Sequence, residues 1–207
     1  MGSKARTQRM QSALTQRLRS VQCAVEAVYH RHNVSAILRT CDALGIQYVH
    51  LIEGDFRPSP GAARGAERWL SIQQHADPVE AIRTFQAQGY RVYVADLSDA
   101  AVAPEEVPLD QPVVLWFGAE LLGVSPEARA AADGIVSIPM RGFAQSLNVS
   151  VAAALTLRPI ADAARLQGED ALLTDAEKQE IWATWMSRAE NIDRQAAARA
   201  AGGEPAE

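Results

Sequence analysis

Five short apolar runs, at residues 21–28, 48–52, 91–95, 113–117 and 135–138, alternate with stretches of helical character, and this alternation restricts the chain more than any other feature. The run Val-Val-Leu-Trp-Phe at 113–117 has no polar face, so a strand formed there must be covered on both sides. Strands buried in this way and interleaved with helices define an α/β architecture.

The spacing predicts a helix opening at Asn33 as N-cap, with Val34, Ile37, Leu38, Cys41 and Leu44 on its apolar face and Gly45 as its stop. Ser35, Arg39 and Asp42 fall on the opposite face. Residues 53–68, rich in Gly, Pro and Arg, read as a long functional loop. A helix follows over 77–88, and another begins at Ser125-Pro126-Glu127, with Ser as cap and Pro in the first turn. The helix over 148–166 carries Ala152, Ala153 and Ala154 and contains Pro159. From Thr174 a further helix presents Ile181, Trp182, Trp185 and Met186 as one stripe that must pack on something. The chain thus divides into a basic helical arm (1–20), an α/β domain (21–167), a helical extension (168–194) and a disordered tail (195–207).

The net charge of −5 hides a polarity. Residues 1–25 hold Lys4, Arg6, Arg9, Arg17 and Arg19 and no acid, so the remainder carries −10. A basic segment on an acidic protein is either a phosphate-seeking arm or a solvated helix face. There is no apolar run of membrane-spanning length and no secretory leader pattern, so the chain reads as soluble and cytoplasmic, without a membrane partner. Cys23 and Cys41 lack the spacing of a thiolate metal site and read as small core residues; no metal is expected. His30 and His32 read as surface histidines. The glycine patterns of dinucleotide and P-loop sites are absent, as are GxSxG and HExxH, which removes the commonest nucleotide-binding, hydrolase and zinc-protease readings.

Three segments remain in which polar residues interrupt apolar elements: His32 to Thr40, Phe117 to Ser125, and Ile138 to Ala152. Asn33 with Arg39, then Phe117-Gly118-x-Glu120-x-x-Gly123-x-Ser125, then Ser146-Leu147-Asn148-Val149-Ser150, resemble in this order the three motifs of the SPOUT superfamily, SpoU/TrmH branch. The resemblance spans roughly residues 21–160. It implies a parallel sheet with a deep C-terminal trefoil knot, flanked by N- and C-terminal helices and working as a homodimer. It also implies transfer of a methyl group from S-adenosyl-L-methionine (AdoMet) to a ribose 2′-hydroxyl of RNA. The short basic N-terminus, the C-terminal extension, His30-x-His32-Asn33 and Gly-Ala-Glu-Arg-Trp at 65–69 point to tRNA, at guanosine 18 of the D-loop. The alternatives are another tRNA or rRNA ribose, or a silent RNA-binding protein of the same fold. Arg141 and Phe143 depart from the family, which often has smaller or aliphatic residues there, and Ala66 stands where a hydroxyl residue can occur.

Carried onto this sequence, the resemblance assigns catalysis to Arg39, Asn33, Glu120, Ser146 and Asn148. It assigns cofactor binding to Leu97, Gly118, Ile138, Met140 and Leu147; RNA phosphate contact would draw on the basic residues Lys4, Arg6, Arg9, Arg17 and Arg19, with Arg31, Arg57, Arg64 and Arg68 as loop candidates. Methyl transfer from a sulfonium needs chiefly alignment of the accepting oxygen and help in removing its proton. An arginine titrates above 12, and neutralising one at pH 7 costs at least about 7 kcal/mol. Arg39 is therefore expected to hold a phosphate and stabilise alkoxide charge, with outright proton removal only if bound RNA assists.

Overall fold

A computed structural model describes residues 3–28, 30–53, 65–119 and 122–201. They fall into two compact units, one within residues 16–172 and a second formed by residues 3–15 with 173–201.

The larger unit is built on a six-stranded, wholly parallel sheet. Its strands are β1 (Val21–Glu26), β2 (Tyr48–Ile52), β3 (Ser71–His75), β4 (Arg91–Ala95), β5 (Val113–Phe117) and β6 (Gly134–Val136), in the order β3-β2-β1-β5-β4-β6. Between them run α2 (Arg31–Leu44), α3 (Pro78–Ala87) and α4 (Pro126–Ala131), and α5 (Val149–Arg165) follows β6. Strand side chains alternate in direction, so Val113, Leu115 and Phe117 join one core while Val114 and Trp116 join the other. The first core is closed by α2 and α5 through Ile37, Leu38, Leu157 and Ile160; the second by α3 and α4 through Ile82, Phe85 and Ala128. The expected α/β sheet covered on both faces is present.

Several boundaries differ from the sequence expectation. β1 ends at Glu26, two residues early, and Ala27 turns away with φ 49°. Helix α2 starts at Arg31, capped by the backbone of His30, so Asn33 lies inside its first turn and is not its N-cap. Its side chain is engaged elsewhere, as described below. Ser35 is fully buried and not on the solvent face, whereas Arg39 is exposed. Gly45 does end α2, at φ 72°, and a Cβ there would meet the backbone oxygen of Gln16 at 2.9 Å. β3 carries no hydrophobic signature because it is an edge strand whose Gln73 and Gln74 face solvent. Pro159 is accommodated within an unbroken α5.

In the smaller unit, α1 (Ser3–Leu14) packs on α6 (Asp175–Ala201), with Met10, Leu14, Ile181, Trp185 and Ala189 buried. Helix α6 continues past Gln195 to Ala201, where alanine-rich sequence has strong helix propensity without any periodic face. Among the described residues no helix is long and apolar enough to cross a membrane. Cys23 and Cys41 are buried free thiols.

One polar chain crosses the second core. Tyr90 Oη accepts from Gln22 Nε2 (2.8 Å), Gln22 Oε1 faces His50 Nε2 (2.8 Å), and His50 Nδ1 faces His75 Nε2 (3.1 Å). With Nε2–H donating to the amide oxygen, His50 Nδ1 is an acceptor and His75 must supply the proton. Burial, reinforced by His75, lowers the His50 pKa from 6.5 to about 3. A depressed folded value favours the neutral form. Its contribution is complete above pH 6.5 and is lost as pH falls toward 3, by about 2 kcal/mol at pH 5. Burial moves His75 in the same direction. Urea midpoints measured at pH 7.5 and pH 5 should fall more for the wild type than for His50→Gln; equal losses would refute the linkage.

Candidate active site

A cleft of about 530 Å³ opens at the carboxyl ends of β4, β5 and β6 and reaches the first turns of α5. Parallel α/β sheets place ligands at this end of their strands. β4 delivers Asp96 and Leu97, β5 delivers Gly118 and Ala119, and the segment after β6 delivers Ile138 and Met140. Gln145, Ser146, Leu147 and Asn148 close the wall before α5. All five cofactor candidates, Leu97, Gly118, Ile138, Met140 and Leu147, therefore converge on one space, together with Ser146 and Asn148.

The floor beside β5 is made by backbone. Ala119 and Gly123 exchange two hydrogen bonds of 2.9 Å, which folds the backbone of Gly123 and Val124 against Gly118. A Cβ on Gly118 would stand 2.1 Å from the Gly123 carbonyl and 2.3 Å from the Val124 nitrogen. Glycine is required here by close approach, since Gly118 is not in the left-handed region; Gly123, at φ 69°, is. Beneath this turn the buried Glu26 accepts from Trp116 Nε1 (2.6 Å) and, more weakly, from the Ser125 backbone N–H (3.4 Å). Ser125 in turn caps α4, accepting from the Ala128 N–H at 3.2 Å.

Asn148 is the N-cap of α5: its Oδ1 accepts from the Ser150 N–H (2.9 Å) and hydroxyl (2.6 Å). Its Nδ2 donates to Asn33 Oδ1 at 3.2 Å, so Asn33 is tied from α2 to the rim of the cleft. Arg39 is not brought there. It stands exposed on α2, outside the cleft lining, with no ion pair or hydrogen bond among the described residues. Glu120 lies outside the described residues, as do Arg57 and Arg64.

The RNA candidates separate. Lys4 and Arg9 are exposed on α1, Arg31 on α2, and Arg68 beside Glu67. Arg6 pairs with Asp193. Arg19 is half-buried, and Arg17 is buried and ion-paired to Asp42 at 2.5 Å. A guanidinium enclosed with its counter-ion cannot serve as a free phosphate contact, so Arg17 departs from the expected arm.

Polar cleft residues missed in the sequence are Asp96, Ser137, Gln145 and Thr156. Asp96 accepts from the Leu97 N–H and pairs with Arg129. An acid directly after an apolar strand was the signal available; Thr156 had none, because it is buried within α5. The described residues contain no cluster of three or more metal-ligating side chains. The cleft joins apolar walls, backbone groups and a few amide and hydroxyl groups, which suits a mixed polar and apolar organic ligand.

Over residues 20–158 the sequence matches the SpoU rRNA Methylase family. It is 41% identical over 157 residues to the tRNA (guanosine(18)-2′-O)-methyltransferase of Thermus thermophilus, covering 75% of this chain and 81% of that protein. Its fold superposes on the crystal structure of an A. aeolicus TrmH/SpoU tRNA modifying enzyme with TM-score 0.82, 33% identity, and coverage of 91% and 98%. An AdoMet-bound rRNA methyltransferase from Sinorhizobium meliloti superposes with TM-score 0.62 at 26% identity, covering 77% of this chain and 59% of that one.

Proposed function

This chain belongs to the SpoU rRNA Methylase family, and on that premise we propose that it is an AdoMet-dependent 2′-O-methyltransferase acting on guanosine 18 of tRNA. The observation that carries the reading is the convergence of Leu97, Gly118, Ile138, Met140 and Leu147 on one cleft beside Asn148. The residues fit the donor: Gly118 lets the backbone of Gly123 and Val124 close against it as the cleft floor, and Leu97 and Leu147 offer apolar surface.

When bound, AdoMet supplies an activated methyl carbon. Ile138, Met140 and Leu147 would hold the donor, Ser146 and Asn148 would fix the acceptor's orientation, and Asn33 holds Asn148 in register through its amide. Glu120 is assigned to ordering this rim. Arg39 grips a phosphate next to the acceptor and stabilises charge developing on the 2′-oxygen.

Arg39 lies outside the cleft of its own chain, and α5 exposes Val151 and Leu155 one turn apart on one face. Both features support a homodimer in which a second copy covers α5 and carries its Arg39 to this cleft. The segment between β6 and α5 is assigned to the trefoil knot of the family. Lys4, Arg9, Arg31 and Arg68 are the exposed cations assigned to tRNA phosphates, with Arg57 and Arg64 retained from the sequence. Such contacts give salt-sensitive affinity without base specificity. A tRNA-modifying role supports a cytoplasmic assignment.

Incubation of the full chain with labelled AdoMet and an unmodified tRNA transcript should yield one 2′-O-methylated nucleotide, guanosine 18, by nuclease digestion and mass spectrometry. Label at another ribose, in rRNA alone, or nowhere would overturn the assignment.

A further inference from the structure

We infer that Phe143 and Arg141 form a docking point for the RNA strand at the mouth of the cleft. The ring stacks on a nucleobase flanking the acceptor ribose, and the guanidinium takes an adjacent phosphate. The inference rests on the methyltransferase reading above and adds to it a determinant of substrate engagement that belongs to this chain's own sequence.

Residues 141–146 are all exposed, and Phe143, at 107% relative accessibility, is the most exposed of the large apolar side chains described. A phenyl ring left in water forfeits the burial that normally stabilises it, and this ring stands between cleft-lining residues and beside an exposed cation. The donor is not that occupant. Met140 and Gln145 on either side line the cleft, whereas Phe143 does not, which puts the ring outside the donor's space and beside it. An acceptor strand entering the cleft from this side passes over the ring. Arg141, exposed and without an ion pair or hydrogen bond among the described residues, supplies the charge that an anionic strand requires. A second copy is a poorer occupant, because its apolar surface is offered on α5, while this segment otherwise presents Arg141, Gln145 and Ser146. An aromatic ring beside a cation is the recurring platform for single-stranded bases.

The test uses the full chain and a tRNA transcript carrying 2-aminopurine next to guanosine 18. Wild-type protein should quench the probe on binding. Phe143→Ala should abolish the quench and raise KM for tRNA about tenfold, the scale of one lost base stack, with kcat at saturating tRNA retained. Phe143→Trp should restore both. Arg141→Gln should weaken tRNA binding and reduce the salt slope by about one contact. AdoMet affinity by calorimetry and oligomeric state by light scattering should not move. Unchanged tRNA KM in Phe143→Ala would overturn the inference, as would a loss of AdoMet affinity or of subunit association accompanying the tRNA effect. Wild-type binding and quenching without methyl transfer would overturn the functional reading while upholding the stacking contact.

Discussion

Replacing Arg39 with alanine is expected to lower the single-turnover rate of tRNA methylation by about 10²–10³-fold, the loss seen when one preorganised donor to a developing oxyanion is removed. AdoMet affinity should be unchanged, because Arg39 lies outside the donor cleft of its own chain and is assigned to the RNA phosphate and 2′-oxygen. Among the described residues the exposed guanidinium has no ion pair to give up, unlike Arg17 on Asp42 or Arg91 on Asp110, so its charge is available to substrate. Arg39→Lys separates two roles. A lysine keeps the charge and loses the planar fork. A large loss in Arg39→Lys with an unmoved pH profile would favour a bidentate grip on phosphate and alkoxide. A shifted alkaline limb would instead favour proton removal by residue 39. Near-normal methylation by Arg39→Lys would sink any role that depends on the fork.

The same residue tests the shared site. Mixing Arg39→Ala chains with Asn148→Ala chains should recover activity, since one cleft of each mixed dimer would then have an intact Asn148 and an intact Arg39 from the partner. If mixed dimers form and stay inactive, Arg39 serves its own cleft and the two-copy arrangement fails.

The parts of the fold readable from sequence were those in which local signal and tertiary role coincide. β5 is apolar throughout because both its faces are covered, and Gly45 marks the end of α2 because the chain needs a left-handed turn there. β3 was missed because an edge strand with one neighbour need not be apolar. The assignment of Asn33 as a cap failed for a different reason: its side chain is spent on Asn148, 115 residues away, and local capping rules carry no information about that partner. The same limit hid Glu26, whose partners Trp116 and Ser125 are about 90 and 99 residues distant. Charge counting overstated the basic arm. Arg17 and Arg6 have folded-state counter-ions that net charge cannot foresee. The cleft itself was readable only through the motif resemblance, since Ile138, Met140 and Leu147 would each pass for ordinary core.

Gly118→Ala should be the most damaging small substitution in the donor cleft. The added methyl would lie 2.1 Å from the Gly123 carbonyl, and the obstacle is backbone, with no flexible side chain to swing aside. Relief requires opening the paired hydrogen bonds between Ala119 and Gly123, or displacing the Ser125 N–H from Glu26. Forcing a methyl into a closed space costs about 1–3 kcal/mol, and the unyielding neighbour puts this site at the upper end. If that strain falls on the donor-binding conformation, AdoMet affinity drops by about 100-fold at 1.4 kcal/mol per decade. Gly123→Ala supplies the control. It is strained by its positive φ, yet its Cβ meets nothing within 4 Å, so it should cost less affinity. Calorimetric titration with AdoMet, paired with thermal melting of the free proteins, distinguishes a deformed cleft from a failed fold. A Gly118→Ala protein that melts like wild type and binds AdoMet equally well would remove this turn from the donor site.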